Sequence, residues 1–181
     1  SGRAAGRSRR RAGVTLVLCY CNEGLEWMNS TIGRPLMRQV DLAIVQKCPE
    51  AAGGIVVPFR HVWKSVRVDH VEDLPLRADE CSGYLGYLRE HYHNLPGHMV
   101  FIHPDAPEHT GLGMPNILDD TLGALARGAS IPFAHLGNNR VTMKWDPFTM
   151  APLWRGLFGS SVVPGPGAVR TYCCSHFVVS R

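Results

Sequence analysis

The chain has 181 residues, 45% apolar and 19% charged, the composition of a globular domain large enough to bury a core without staples. Its formal charge of +4 is concentrated at one end, because Arg3, Arg7, Arg9, Arg10 and Arg11 all precede residue 12 and the remainder is nearly neutral. That excludes the broad basic face of a nucleic-acid groove, and no run approaches the roughly 18 to 20 apolar residues of a membrane span.

Residues 1–12 carry no apolar periodicity and are expected to form a disordered basic arm, followed by a single α/β domain over 13–181. The same arginines before VTLVLCYC also have the outline of a secretory signal. However, no small-x-small cleavage site follows, and Asn22 and Glu23 come directly after. Val14 to Tyr20 is too continuously apolar to be half-exposed and reads as a central strand covered on both faces. A turn and short helix follow over 22–29, with Trp27 and Met28 as an apolar patch. Val40 to Val45 reads as a second strand, and Ile55 to Val57 with Phe59 as a third, after the Gly53-Gly54 turn. Val66 to Val71 alternates weakly and reads as an edge strand.

The strongest helical period runs from Asp79 to Tyr92 and places Cys81, Tyr84, Leu85, Leu88 and Tyr92 on one face. Asp79 and Glu80 suit the positive end of its dipole, and Asn94-Leu95-Pro96-Gly97 stops it. Met99 to Ile102 starts at once as a buried strand, the tight connection of an α/β fold. Asn116 to Arg127 is a further helix with Ile117, Leu118, Leu122 and Leu125 inward and Gly128 past its end. Ile131 to Leu136 returns to the sheet, 137–166 has no period, and Phe177 to Val179 is a terminal strand. The alternation predicts a three-layer α/β fold, a mostly parallel sheet flanked by helices.

No G-x-G-x-x-G, Walker loop or G-x-S-x-G is present, which excludes a dinucleotide enzyme, a P-loop NTPase and an α/β-hydrolase. Six cysteines without a C-x-x-C exclude zinc ribbons and thioredoxin-like motifs, and the even count permits disulfides without fixing a pairing. The chemistry concentrates in MVFIHPDAPEH. There His103, Asp105, Glu108 and His109 share one loop directly after a strand, the place where ligands bind in open α/β sheets. Two imidazoles and two carboxylates suit a metal or acid/base work; a solvated polar loop closed by prolines is the plain alternative.

Four blocks in order carry a resemblance: LVLCYCNEGLEWM, DLAIVQKC, DECSGYLGYLREHYHNLPGHMVFIHPDAPEH and CCSHFVVSR. They resemble the family known as domain of unknown function 3431 over residues 14–181. Its pattern falls on Asn22, Glu23, Trp27, Lys47, Glu80, Tyr84, Leu85, Tyr92, Leu95, Pro96, Phe101, His109, Phe177, Ser180 and Arg181. The chain departs from it at Cys21, where Tyr is expected, at Gly24, where an acid follows, and at Asp79, where Arg often stands. It also ends directly after the last block, so a terminal helix is expected beyond it.

The opening strand ending in Tyr-x-Asn-Glu, the mid-chain strand ending in an acidic loop, and the late Phe-Val-Val-Ser-Arg strand are together similar to type-A glycosyltransferases. That second resemblance implies a nucleotide-sugar-transferase-like fold, with a nucleotide sugar and a carbohydrate or glycoprotein acceptor as partners and a divalent cation (Mn²⁺ or Mg²⁺) as cofactor. His103, Asp105 and His109 would hold the metal. Glu23, Glu108 or His109 would deprotonate the acceptor. Asn22, Lys47, Glu80 and Arg181 would bind substrate, Lys47 and Arg181 as the cations facing phosphate. A secretory, Golgi-type location follows if a membrane anchor precedes the chain. Two other readings stay open: a catalytically silent module that binds a carbohydrate or a protein, and a metal-dependent hydrolase built on His103, Asp105 and His109.

Overall fold

A computed structural model describes residues 13–48, 54–70, 79–107, 114–137, 140–144, 168–172 and 176–181. The basic arm, and with it the expectation of disorder over 1–12, lies outside the described residues. The chain divides into two compact units, 1–136 with 174–181, and 137–173. In the first unit the strands are β1 (Val14–Tyr20), β2 (Asp41–Gln46), β3 (Ser65–His70), β4 (His98–Ile102), β5 (Phe133–His135) and β8 (Phe177–Ser180). Its helices are α1 (Met28–Thr31), α2 (Arg34–Met37), α3 (Asp79–Glu90) and α4 (Met114–Ala126). The second unit contains an antiparallel pair, β6 (Arg140–Lys144) with β7 (Ala168–Tyr172).

The six strands form one sheet in the order β3-β2-β1-β4-β8-β5. The first four run parallel, while β8 is antiparallel to both β4 and β5. The fold is therefore α/β with a mixed sheet. The apolar runs of β1, β2 and β4 are central because both faces are covered. On one face Leu16, Leu42 and Val100 lie in register and meet Met28, Met37, Leu118 and Leu122 from α1, α2 and α4. On the other Val17, Ala43 and Phe101 meet Tyr84 and Tyr87 of α3.

Several expectations need correction. The third strand at Ile55 to Val57 is absent; that segment runs irregularly into a turn where Phe59 has φ 50°, and the third strand is Ser65–His70. β6 forms inside the stretch expected to be irregular. The inward face of α3 is also different. Leu85 and Tyr92 are 64% and 69% exposed and Cys81 is exposed, whereas Gly83, Tyr84 and Tyr87 face the sheet. A hydrophobicity count overlooked Gly83, whose lack of a side chain lets the helix backbone approach Cys19 of β1. Tyr84 and Tyr87 then surround Phe101, with ring centres 4.9 and 6.2 Å away.

That packing makes two free cysteines chemically unlike. Burial raises the Cys19 thiol to about 12; Lys47 pulls the other way, and the carboxylates of Glu80 and Glu23 push in the same direction as burial. A maleimide should modify Cys81 on the exposed side of α3 and leave Cys19 untouched in the folded chain. Peptide mapping after labelling checks this, and labelling of Cys19 at a rate comparable to Cys81 contradicts the packing.

Candidate functional site

Parallel strands end at the same edge of a sheet, so β1, β2 and β4 deliver their following loops to one place. The chain leaves β1 for β2 and β3 on one side and returns through α3 to β4 on the other side of β1. β1 and β4 are neighbours whose connections diverge, which is the geometry that opens a crevice between them. Two cross-links hold its rim. Cys21, just beyond β1, is bonded to Cys48, just beyond β2, with Cα atoms 4.9 Å apart. The indole Nε1 of Trp27 donates to the carbonyl of Pro104 at 2.5 Å, joining the β1 loop to the β4 loop.

Inside this rim the central group is His103. Its Nδ1 is bonded to Asp105 and its Nε2 to Glu80 in the first turn of α3. All three side chains are partly buried. Burial pushes Glu80 up, but the His103 hydrogen bond, a backbone hydrogen bond and the charges of His103 and Lys47 together outweigh it, so its carboxyl is held below 4.5. A depressed carboxyl stabilises the fold above its unfolded value, and that contribution disappears as the pH falls through the lower folded value. Glu80→Gln should therefore lower stability at neutral pH and make stability fall less steeply with acid below about pH 4.5. Urea melts across the acid range check this. An acid limb identical to that of the parent chain contradicts it.

The structure brings Asn22, Glu23, Lys47, Glu80, His103 and Asp105 to this edge. Glu23 lies in the turn rather than over open space, with Oε2 accepting the backbone N–H groups of Cys21 at 2.7 Å and Asn22 at 2.9 Å. It caps the end of β1, not the following helix. Asn22 is exposed, and Nδ2 reaches the Cys21 sulfur at 3.7 Å. Lys47 follows β2, and its N–H donates to the carbonyl of Tyr20 at 3.0 Å.

Arg181 does not join them. Because β8 is antiparallel to β4, its end lies beside the start of that strand, and Arg181 bonds the carbonyls of Leu95 and Gly97 at the opposite edge. Glu108 and His109 lie outside the described residues.

Sequence reasoning missed two functional constraints. Trp27 reads as core, yet its indole N–H ties the two loops. The Cys21–Cys48 pairing had a usable signal, since each cysteine follows closely on a predicted strand and neighbouring strands bring such positions together.

The divalent cation expected here does not fit the described donors. The two nitrogens of an imidazole point apart, so Glu80 and Asp105 are held on diverging sides of His103 and do not converge on one ion. Among the described residues no group of three His, Cys, Asp or Glu can hold a metal. A scan against protein-family models finds no match, and no curated protein matches the chain.

Proposed function

We propose that this chain is a three-layer, nucleotide-sugar-transferase-like domain that handles carbohydrate in the crevice between β1 and β4. The observation that carries the reading is the joining of the two motif loops across the switch point by Trp27 and Pro104, more than 70 positions apart in sequence. Carboxylates and an imidazole are suited to sugar hydroxyls. His103 holds the carboxylates of Asp105 and Glu80 on its two nitrogens, and in this reading one of those carboxylates, with the imidazole behind it, would take the proton of an acceptor hydroxyl. Lys47, whose charge is felt at Glu80, would supply the cation for a donor phosphate. Since the described donors do not form an ion site, no step is assigned to a metal. The Cys21–Cys48 disulfide suits an oxidising compartment, in keeping with a secretory location. No helix among the described residues is long and apolar enough to cross a membrane.

A silent carbohydrate- or protein-binding module is the second reading. It is favoured by a specific observation: both nitrogens of His103 already meet carboxylates, and Glu23 is engaged in its own turn. A metal-dependent hydrolase has no comparable support.

A thermal-shift panel separates the readings, because any ligand of the native state raises its apparent stability. Uridine and guanosine diphosphate sugars are tested with and without Mn²⁺, beside free sugars. A shift with a nucleotide sugar that is lost in His103→Ala supports the transferase. A shift with free sugars alone supports the silent module. A null result throughout rejects both carbohydrate readings.

A further inference from the structure

We propose a second binding site, for a neutral sugar ring, at the opposite edge of the sheet from the switch-point crevice. It rests on a separate set of residues and does not depend on the proposed activity. A cavity of about 400 Å³ opens there between the end of α3 and the face of β2 and β3. It lies within the size range of small-molecule sites.

The sequence explains why space remains. In the row Val17, Ala43, Arg67 across β1, β2 and β3, the middle residue is only a methyl. The next row outward, Thr15, Asp41, Ser65, is polar. His91, just past the end of α3, forms the wall with its ring 4.8 Å from that of the buried Tyr87 behind it, and the exposed amide of Asn94 stands beside it.

Charge balance selects the ligand. Asp41 already pairs with Lys64 at 2.6 Å and accepts from the hydroxyl of Ser65 at 2.7 Å. Arg67 Nε meets Asp69 at 2.9 Å, and His91 Nε2 meets the same oxygen at 3.1 Å. The Arg67 guanidinium lies 5.4 Å from the Tyr87 ring centre. A phosphate or carboxylate would have to compete with Asp69 for its cations. A neutral polyol meets no such competition. Its hydroxyls find planar donor and acceptor groups in Arg67, Asp41 and Asn94, and its C–H face finds the part of the His91 ring left exposed.

The test is a backbone amide NMR titration of the full chain with methyl glycosides of glucose, galactose and mannose at millimolar concentrations. At least one should give saturable shifts centred on Ser65, Arg67, His91 and Asn94, separate from Cys21 to Glu23 and His103 to Asp105. Asn94→Ala removes an exposed side-chain amide and should weaken that binding about three- to tenfold, the loss of one hydrogen bond. Shifts confined to the β1 and β4 loops overturn the second site while leaving the switch-point reading intact. No shifts at either place, or equal affinity in Asn94→Ala, also overturn it. Inorganic phosphate binding at these amides more tightly than the glycosides would show that charge was read wrongly.

Discussion

Replacing Cys21 and Cys48 together by serine should lower the free energy of unfolding by about 3.5 kcal/mol. The bond closes a loop with a sequence separation of 27, and chain entropy for a loop of that size gives about this value. For a chain of this length the expected fall in Tm is roughly 7 to 14 °C, at about 2 to 4 °C per kcal/mol. Reducing the parent chain with dithiothreitol should reproduce the double variant, because both release the same two strand ends. Calorimetry of the two samples decides the matter. A Tm unchanged within about 2 °C in the double variant would show that the Cys21–Cys48 link does not constrain the unfolded chain. The consequence for the site is local, since Asn22, Glu23 and Lys47 are each within two residues of a bridged cysteine.

Gly83→Ala should be the most damaging small change in α3. A Cβ built at Gly83 meets the Cys19 sulfur at 2.1 Å and its Cβ at 3.1 Å. Cys19 is buried at the centre of the sheet and is too short to swing aside. The helix must lift away from β1, and overpacking of this kind destabilises by about 3 kcal/mol. Alanine's better helix propensity returns about 1 kcal/mol at most. Cys19→Ala removes the sulfur and leaves the 3.1 Å contact and an ordinary one of 3.6 Å to Val45, so Cys19→Ala/Gly83→Ala should recover more than half of the loss. That non-additivity is the signature of direct contact. Denaturant melts of the two single variants and the double check it; additive losses would mean that Gly83 acts through backbone freedom rather than through the approach to Cys19. Because Glu80 is on the same helix, displacement of α3 should also disturb its bond to His103.

Local pattern was enough for the elements with uniform surroundings. Continuous apolar runs marked β1, β2 and β4, because a parallel strand covered on both faces has no reason to alternate. Leu118, Leu122 and Leu125 identified the buried side of α4, and Gly128, at φ 96°, stands just past its end. The strand-loop block ending in His103 and Asp105 was also legible, since polar groups after a buried run mark the edge of a sheet.

Other features depended on pairing between distant segments, which no local period encodes. The buried face of α3 turned on the absence of a side chain at Gly83 opposite Cys19, a close approach invisible to a count of apolar residues. Arg181 reads as a phosphate cation until the antiparallel direction of β8 carries it to the far edge. His103 and Asp105 read from sequence as parts of one loop, and only the fold shows that Glu80, 23 positions earlier, meets the other nitrogen of the imidazole. The sequence by itself determined which segments are buried and which residues bear chemistry. Tertiary structure decided strand direction and the partner of each side chain, because these are set by long-range contacts, as where α3 sets Glu80 beside His103 with Asp105 on the other imidazole nitrogen.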